Sequence, residues 1–254
     1  VAAGDYVALL DGDDYWTSAR RLQRMADLLD ANADCSMCFH DMALVFEDRD
    51  IGQQPTRFCP PGLPSRLTIA DLVVESFAIT SSAMVRRGVA DRLPPEFTGL
   101  MIDDWPRFVL AASRGYVAFL PDALGVYRIH SGGFWSRGGA WLDSIDETIR
   151  MQRGTMDCYE AFWDYFPEHR RRLRSPLARL HLAMATSYSV RDAWPLVRAH
   201  VVESARLAAP SPLAVPWWRL AKLAAVSSAP VLRTLKRRWT GAAASMVMTA
   251  VGAA

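Results

Sequence analysis

Apolar positions along this chain follow strand and helix periods in alternation as far as about residue 130, and helical periods alone from about residue 141. Tyr6 to Leu10 is a short apolar run that stops at Asp11-Gly12-Asp13-Asp14, the pattern of a buried strand whose C-terminal end passes into a turn. Thr17 is placed to cap a helix reaching about Asn32, with Leu22, Met25, Leu28 and Leu29 on one face. A second strand is predicted over Cys35 to Phe46, followed by a Pro/Gly-rich loop from Gln53 to Pro64. A short helix over Thr68 to Ser76, capped by Thr68 or Ser65, then leads to a strand over Ala78 to Val85. Asp103-Asp104-Trp105-Pro106 opens another helix, because Asp caps well and Pro is tolerated in a first turn; Gly115 ends it, and Tyr116 to Leu120 is a strand. The alternation predicts an α/β layer with a largely parallel sheet.

Beyond Trp141 the pattern is helical, with breaks expected near Pro167, Pro176, Pro195 and the Pro210 to Pro216 cluster. Leu180, Ala183, Met184 and Tyr188, then Trp194, Val197, Val201 and Ala205, predict two packed helices joined by a turn at Arg191-Asp192. The expected division is therefore residues 1–140, an α/β region, and 141–254, a helical extension. The uncharged run Trp239 to Ala254 is shorter than the ~20 apolar residues a spanning helix needs, so no transmembrane helix is expected. Val1 opens directly onto a strand pattern with no signal-peptide layout, and the reading expects further sequence upstream.

Composition changes this picture in one respect. With 51% hydrophobic and 22% charged residues the chain has a globular balance, and four cysteines are too few for a disulfide framework. The net charge of +2, however, hides a split: residues 1–166 carry −9 and residues 167–254 carry +11. A basic helical region suits an anionic surface, whereas an acidic region needs a cation before it can handle an anionic substrate.

The chemistry is concentrated in the acidic turn. Three carboxylates within Asp11 to Asp14 repel one another unless a cation lies between them, and ligands bind at the carboxyl ends of strands in open α/β sheets. A hard divalent ion, Mg²⁺ or Mn²⁺, is the natural partner. An aspartyl-phosphate phosphatase is excluded by Tyr15 where Thr or Val is required, and a helix-loop-helix calcium site by Leu22 where a Glu is required. Cys35-x-x-Cys38 with His40 and Cys59 has the look of a zinc set. On a regular strand, positions three apart face opposite sides, so these are expected to be core cysteines.

Asp5-Tyr6-Val7-Ala8-Leu9-Leu10-Asp11-Gly12-Asp13-Asp14-Tyr15-Trp16 resembles the Asp-x-Asp segment of family 2 glycosyltransferases of the GT-A fold. The likeness continues in order through Cys38-Phe39-His40, Ile79 to Arg87, Asp103-Asp104-Trp105 and Tyr127-Arg128-Ile129-His130-Ser131-Gly132-Gly133-Phe134-Trp135-Ser136. The resemblance implies a partial parallel or mixed sheet with flanking helices, followed by a helical C-terminal region, and a bacterial-type, metal-dependent inverting enzyme. It would move a sugar from a nucleotide-diphosphate sugar to a glycan or lipid-linked acceptor, in cell-envelope or exopolysaccharide synthesis in the cytoplasm, with no nucleic-acid partner. It further implies that Asp11, Asp13, Asp14 and His130 hold the metal, that these with Arg128 bind the donor, and that Asp104 is the base with Asp103 beside it. Thr80, Ser81, Ser82 and Trp105 fall on the acceptor side. The family's base-recognising βαβ portion has no counterpart here, so the 254 residues alone are expected to transfer little sugar. The alternative is a degenerate, non-catalytic transferase domain acting as a binding or membrane-docking module. From about residue 213, the tryptophans and cations of Pro216 to Leu223 and Leu232 to Trp239 have the composition of a membrane-interface segment, so residues 213–239 are expected to contact a membrane peripherally.

Overall fold

A computed structural model of the chain describes residues 3–47, 56–89, 93–130, 132–133, 144–209 and 214–228. They fall into two compact units, one drawn from residues 1–141 with Asp157–Arg170, the other from Leu142–Met156 with 171–254.

The first unit is built on a mixed sheet. Its strands are β1 (Tyr6–Ala8), β2 (Tyr15–Trp16), β3 (Cys35–Phe46), β4 (Thr56–Arg57), β5 (Arg66–Leu67), β6 (Ala83–Arg86) and β7 (Tyr116–Ile129). The main path runs β1-β6-β3-β7-β2, with β4 on β3 and β5 on β7. Among the described residues only β3 and β7 pair parallel, from Cys35 opposite Tyr116 to Phe46 opposite Ile129, with register shifts after Cys35 and on both sides of Asp41. The largely parallel sheet that the alternation alone predicts is thus corrected, while the mixed sheet with flanking helices that the resemblance implies is present. β6 lies antiparallel between β1 and β3, so β1, β3 and β7 share a direction without all being neighbours. The carboxyl ends of β1 and β7 and the start of β6 consequently meet at one edge. Because β1 and β2 sit at opposite ends of the path, the chain between them must cross that edge, carrying Asp11 to Asp14 over it.

β3 has its expected bounds, whereas β7 runs well past the expected Leu120, because its pairing with β3 resumes after the shift at Asp41 and carries the strand on to Ile129. The expected strand over Ala78–Val85 is a 3-10 turn at Thr80–Ser82 followed by β6; Ser82 bonds locally to Ile79, the habit by which Ser hydroxyls favour turns over ladders. Helix α1 is Arg21–Ala31, starting later than Thr17, and its buried stripe is Arg21, Met25 and Leu29, with Leu22 exposed. Helix α2 is one turn, Ile69–Leu72, closed at its start by a capping box between Thr68 and Asp71. Helix α3 is Asp104–Ala112, most of it buried. Gly115 follows it for a packing reason: a Cβ there would lie 2.5 Å from the Asp34 carbonyl oxygen.

Cys35 and Cys38 are core residues as expected, but not because they face opposite sides. A register shift between Cys35 and Met37 turns both into the cluster of Met25, Leu29, Met84 and Ala118. Burial pushes the Cys38 thiol up to about 12, with Cys35 adding to the effect.

Helix α4 (Ile145–Tyr165) contributes Tyr159 and Phe162 to the first unit and its N-terminal part to the second. The second unit continues with α5 (Arg170–Val190), α6 (Trp194–Ala208) and α7 (Trp217–Ser228). The predicted α5–α6 hairpin is present; Asp192 in its turn has φ of 54°, a left-handed conformation that Asp tolerates. The break expected at Pro176 does not occur. α5 runs through it with the ring buried, so packing outweighs one missing amide donor. Ser204 Oγ donates to the Ala178 carbonyl at 2.7 Å, and Arg198 Nη1 to the Ser227 carbonyl, tying α6 to α5 and to α7. Among the described residues no helix is long and apolar enough to cross a membrane. Ser131, Phe134 to Ser136 and Leu232 to Trp239, named above, lie outside the described residues.

Candidate active site

The sheet edge where β1 and β7 end and β6 begins holds a cleft of about 340 Å³ within the first unit. Asp11, Gly12 and Asp13 line one side; Thr80, Asp103 and Asp104 line another; Tyr127, Arg128 and Gly133 close it. The strand-end and helix-start aspartates, 90 residues apart in sequence, therefore share one cavity.

The acidic turn is held from beneath. The Asp11 amide donates to Ser81 Oγ at 3.0 Å, and the Ser81 carbonyl accepts from Trp16 Nε1 at 2.9 Å and from Arg21 Nη2 at 3.2 Å. Arg21 is fully buried, with its guanidinium 3.9 Å from the Trp16 ring centroid and its Nε donating to His40 Nε2 at 2.6 Å. His40 then carries its proton on Nδ1, 2.6 Å from the Asp41 carbonyl, and burial lowers its pKa to about 4, so it is neutral at pH 7. A buried cation thus stands behind a turn of carboxylates. Its sequence signal is an Arg at the same helical spacing as Met25 and Leu29, a position the apolar-face reading passed over.

The individual carboxylates differ. Asp11 is pushed above the ordinary carboxylate range by burial, then by Asp14 and Asp13. Asp13 Oδ2 lies 3.2 Å from His130 Nε2. Asp14 departs from its expected part in the metal set: it is only 8% exposed and does not line the cleft. Its Oδ1 accepts the Arg128 amide at 3.0 Å, pinning the turn to β7, and its Oδ2 is buried without a hydrogen-bond partner among the described residues. Arg128 lines the cleft, but its guanidinium forms a two-point pair with Glu47 at 2.6 and 2.9 Å and bonds the Asp13 carbonyl, which leaves it a buttress of the turn.

Asp104 opens α3. Oδ1 accepts the Trp105 amide at 2.7 Å and Oδ2 accepts Thr80 Oγ1 at 3.2 Å. Burial raises its pKa, with Asp103 and Asp11 adding to the effect against those two hydrogen bonds. Asp103 is exposed on the cleft wall, 3.9 Å from Arg107. Of the expected acceptor-side residues, Thr80 alone lines the cleft. Ser81 and Ser82 are buried and bond backbone, and Trp105 is 4% exposed. The Trp105 indole packs edge-on against Tyr159 and Phe162 with centroids at 5.1 Å, and Nε1 donates to the Leu72 carbonyl, so it offers no face to a sugar. The reason is that α3 is buried almost all round.

Tyr127 completes the site without having been singled out. Burial, then Asp14, Asp13, Asp11 and Asp104, push its phenol far above the usual range, so it stays a neutral hydroxyl in the cleft it lines with Asp11, Asp13 and Asp104. Among the described residues no three His, Cys, Asp or Glu side chains converge as a ready metal cage.

No family model matches the chain. It is 32% identical over 172 residues to an uncharacterized protein of Mycobacterium bovis and to uncharacterized proteins of two strains of Mycobacterium tuberculosis. The match covers 67% of this chain and 47% of each relative, so the chain spans about half the length of the curated relatives it matches.

Proposed function

We propose that this chain carries part of a metal-dependent inverting glycosyltransferase of the GT-A fold, acting on a nucleoside-diphosphate sugar and a hydroxyl acceptor. The observation that carries the reading is the shared cleft, where Asp11 and Asp13 face the same space as Asp104. Its volume of about 340 Å³ falls within the range of ligand pockets.

The donor set suits a hard divalent cation in kind. Mg²⁺ takes one or two protein carboxylates and completes its shell with water and substrate phosphates, so a three-residue cage is not required. Asp11 and Asp13 would hold such an ion, with His130 beside Asp13; burial and, after it, repulsion from Asp14 and Asp13 raise the Asp11 pKa, and a cation would relieve the repulsion. When bound, the ion supplies electrostatic stabilisation of a departing diphosphate. The chain's own residues do the rest. Thr80 Oγ1 fixes Asp104 Oδ2, and burial makes that carboxylate a stronger base than one in water, suited to accept a hydroxyl proton. Tyr127, neutral at pH 7, keeps its hydroxyl proton and lines the same cleft. With Asp104 as the base and Asp11 and Asp13 committed to the ion, direct attack by the acceptor hydroxyl would invert the sugar carbon. The acceptor is of the glycan or lipid-linked class.

Thermal unfolding with a panel of nucleoside diphosphates, with and without Mn²⁺, tests this. A rise in Tm that needs both ligands and vanishes in Asp13→Asn is expected; a panel giving no Mn²⁺-dependent shift counts against it. A second reading, a non-catalytic binding module, draws on the Glu47 clamp on Arg128 and on the unconverged carboxylates. It predicts no Mn²⁺ binding at all.

A further inference from the structure

Helix α7 presents to solvent a face unlike that of an ordinary surface helix. Trp218 is 66% exposed and Trp217 40%, and Ala221, Lys222 and Ala225 continue the outward stripe at helical spacing. The opposite side, Leu220 and Ser227, is buried, and Arg198 of α6 donates to the Ser227 carbonyl, so the helix is seated and its outer face is defined. The Arg219 guanidinium lies 5.3 Å from the Trp218 ring centroid, placing a cation beside the indole. No Asp or Glu follows Glu203 anywhere in the sequence, while residues 213–239 hold six Arg and Lys.

We infer that the outer face of α7 is a docking surface for an anionic lipid bilayer, seated parallel to the membrane plane. Bulk exposed indoles gain by entering the headgroup boundary, where an amphipathic ring suits both phases. Arg219 and Lys222 flank those indoles at the level where lipid phosphates would lie. Charge selects this occupant over a second copy of the chain: a two-fold contact through this face would bring two cationic patches together, with no Asp or Glu on either α7 to offset them. The inference is independent of the proposed transferase chemistry, since nothing in it involves the acidic cleft.

Vesicle flotation of the 254-residue chain, without nucleotide or metal, tests it. Vesicles of phosphatidylcholine with phosphatidylglycerol should carry the protein, vesicles of phosphatidylcholine alone should carry much less, and raised salt should release it. Lys222→Glu removes one cation and adds an anion, and at about fivefold per charge near the surface should weaken partitioning about 25-fold. W217A/W218A should abolish flotation, and Trp218→Ala alone should weaken it while circular dichroism and Tm stay near the parent's, because Trp218 is largely outside the core. No flotation with anionic vesicles overturns the inference. So does flotation that survives W217A/W218A and Lys222→Glu and is lost only when Arg233, Lys236, Arg237 and Arg238 are changed to Gln. Self-association abolished by Trp218→Ala in the absence of vesicle binding would assign the face to a second copy and equally overturn it.

Discussion

Replacing Arg21 separates what a buried cation costs from what it organises. Arg21 is fully enclosed, and burial lowers its pKa from 12.5 to about 10 while leaving it charged at pH 7. That depression corresponds to about 3 kcal/mol of burial cost, at about 1.4 kcal/mol per tenfold change in proton affinity. Arg21→Met keeps most of the volume and removes the cost. It also leaves His40 Nε2 without its donor, a loss of about 1–3 kcal/mol, whereas the Ser81 carbonyl keeps Trp16 Nε1. The two effects nearly cancel, and Arg21→Met should unfold in urea within about 1–2 kcal/mol of the parent. Arg21→Ala should lose about 3 kcal/mol or more, because it adds a cavity to the orphaned imidazole. In both variants the Asp11 turn loses a support, so Mn²⁺ affinity should fall even where stability does not. Equilibrium urea unfolding by far-UV circular dichroism, paired with Mn²⁺ titration, reads both quantities. A loss above ~4 kcal/mol in Arg21→Met would refute the cancellation, and unchanged Mn²⁺ binding would refute the link from Arg21 through Ser81 to Asp11.

Other consequences follow from the same network. The carboxyls of Asp11 and Asp104 are raised by burial and neighbouring charge, so the stability they contribute is present below the unfolded value of 3.8 and is lost as pH rises through their folded values. Metal-free Asp104→Asn should therefore melt higher than the parent at pH 7, by about 2–4 °C for each kcal/mol relieved, and lose less stability between pH 4 and pH 7; a lower Tm at pH 7 would contradict the sign. Trp105→Ala should cost about 3–5 kcal/mol as a core truncation, with Trp105→Phe milder and still able to bind Mn²⁺; an Ala variant as stable as the parent would return Trp105 to the cleft. All four cysteines are buried, and Cys38 and Cys158 have thiols pushed up to about 12, so a disulfide reagent should label them only on unfolding. Rapid native labelling would argue against that core.

Much of this arrangement could be read from residue order because local chemistry and the final contacts agree. β3 is bounded as its apolar run indicates, and Asp192 sits in the turn its type prefers. The acidic turn and Asp104 were both legible as strand-end and helix-start carboxylates, and the topology brings them to one edge. What sequence could not reveal depends on long-range pairing. β6 enters between β1 and β3 from later in the chain, which makes the sheet mixed, and the shift after Cys35 reverses the facing of a thiol that strict alternation puts elsewhere. Trp105 and Asp14 differ from their expected placement for one common reason. Motif spacing gives backbone position, but the enclosure of α3 by aromatic residues from α4, and the Arg128 amide on β7, decide which way each side chain is spent. Arg21 lies in a stripe that is otherwise apolar, and nothing in the residue order marks that one arginine of the helix as facing the core.

The premise most worth testing is that the crossing turn and the start of α3 enclose a cation-dependent site. Loss of the free Mn²⁺ electron paramagnetic resonance signal on titration with the chain, repeated with a nucleoside diphosphate present, reads it directly. One bound ion per chain is expected, held more tightly with the diphosphate and released at least tenfold more readily in Asp13→Asn than in the parent, about 1.4 kcal/mol. Mn²⁺ that stays free at every protein concentration, or that binds Asp13→Asn as well as the parent, would contradict the account.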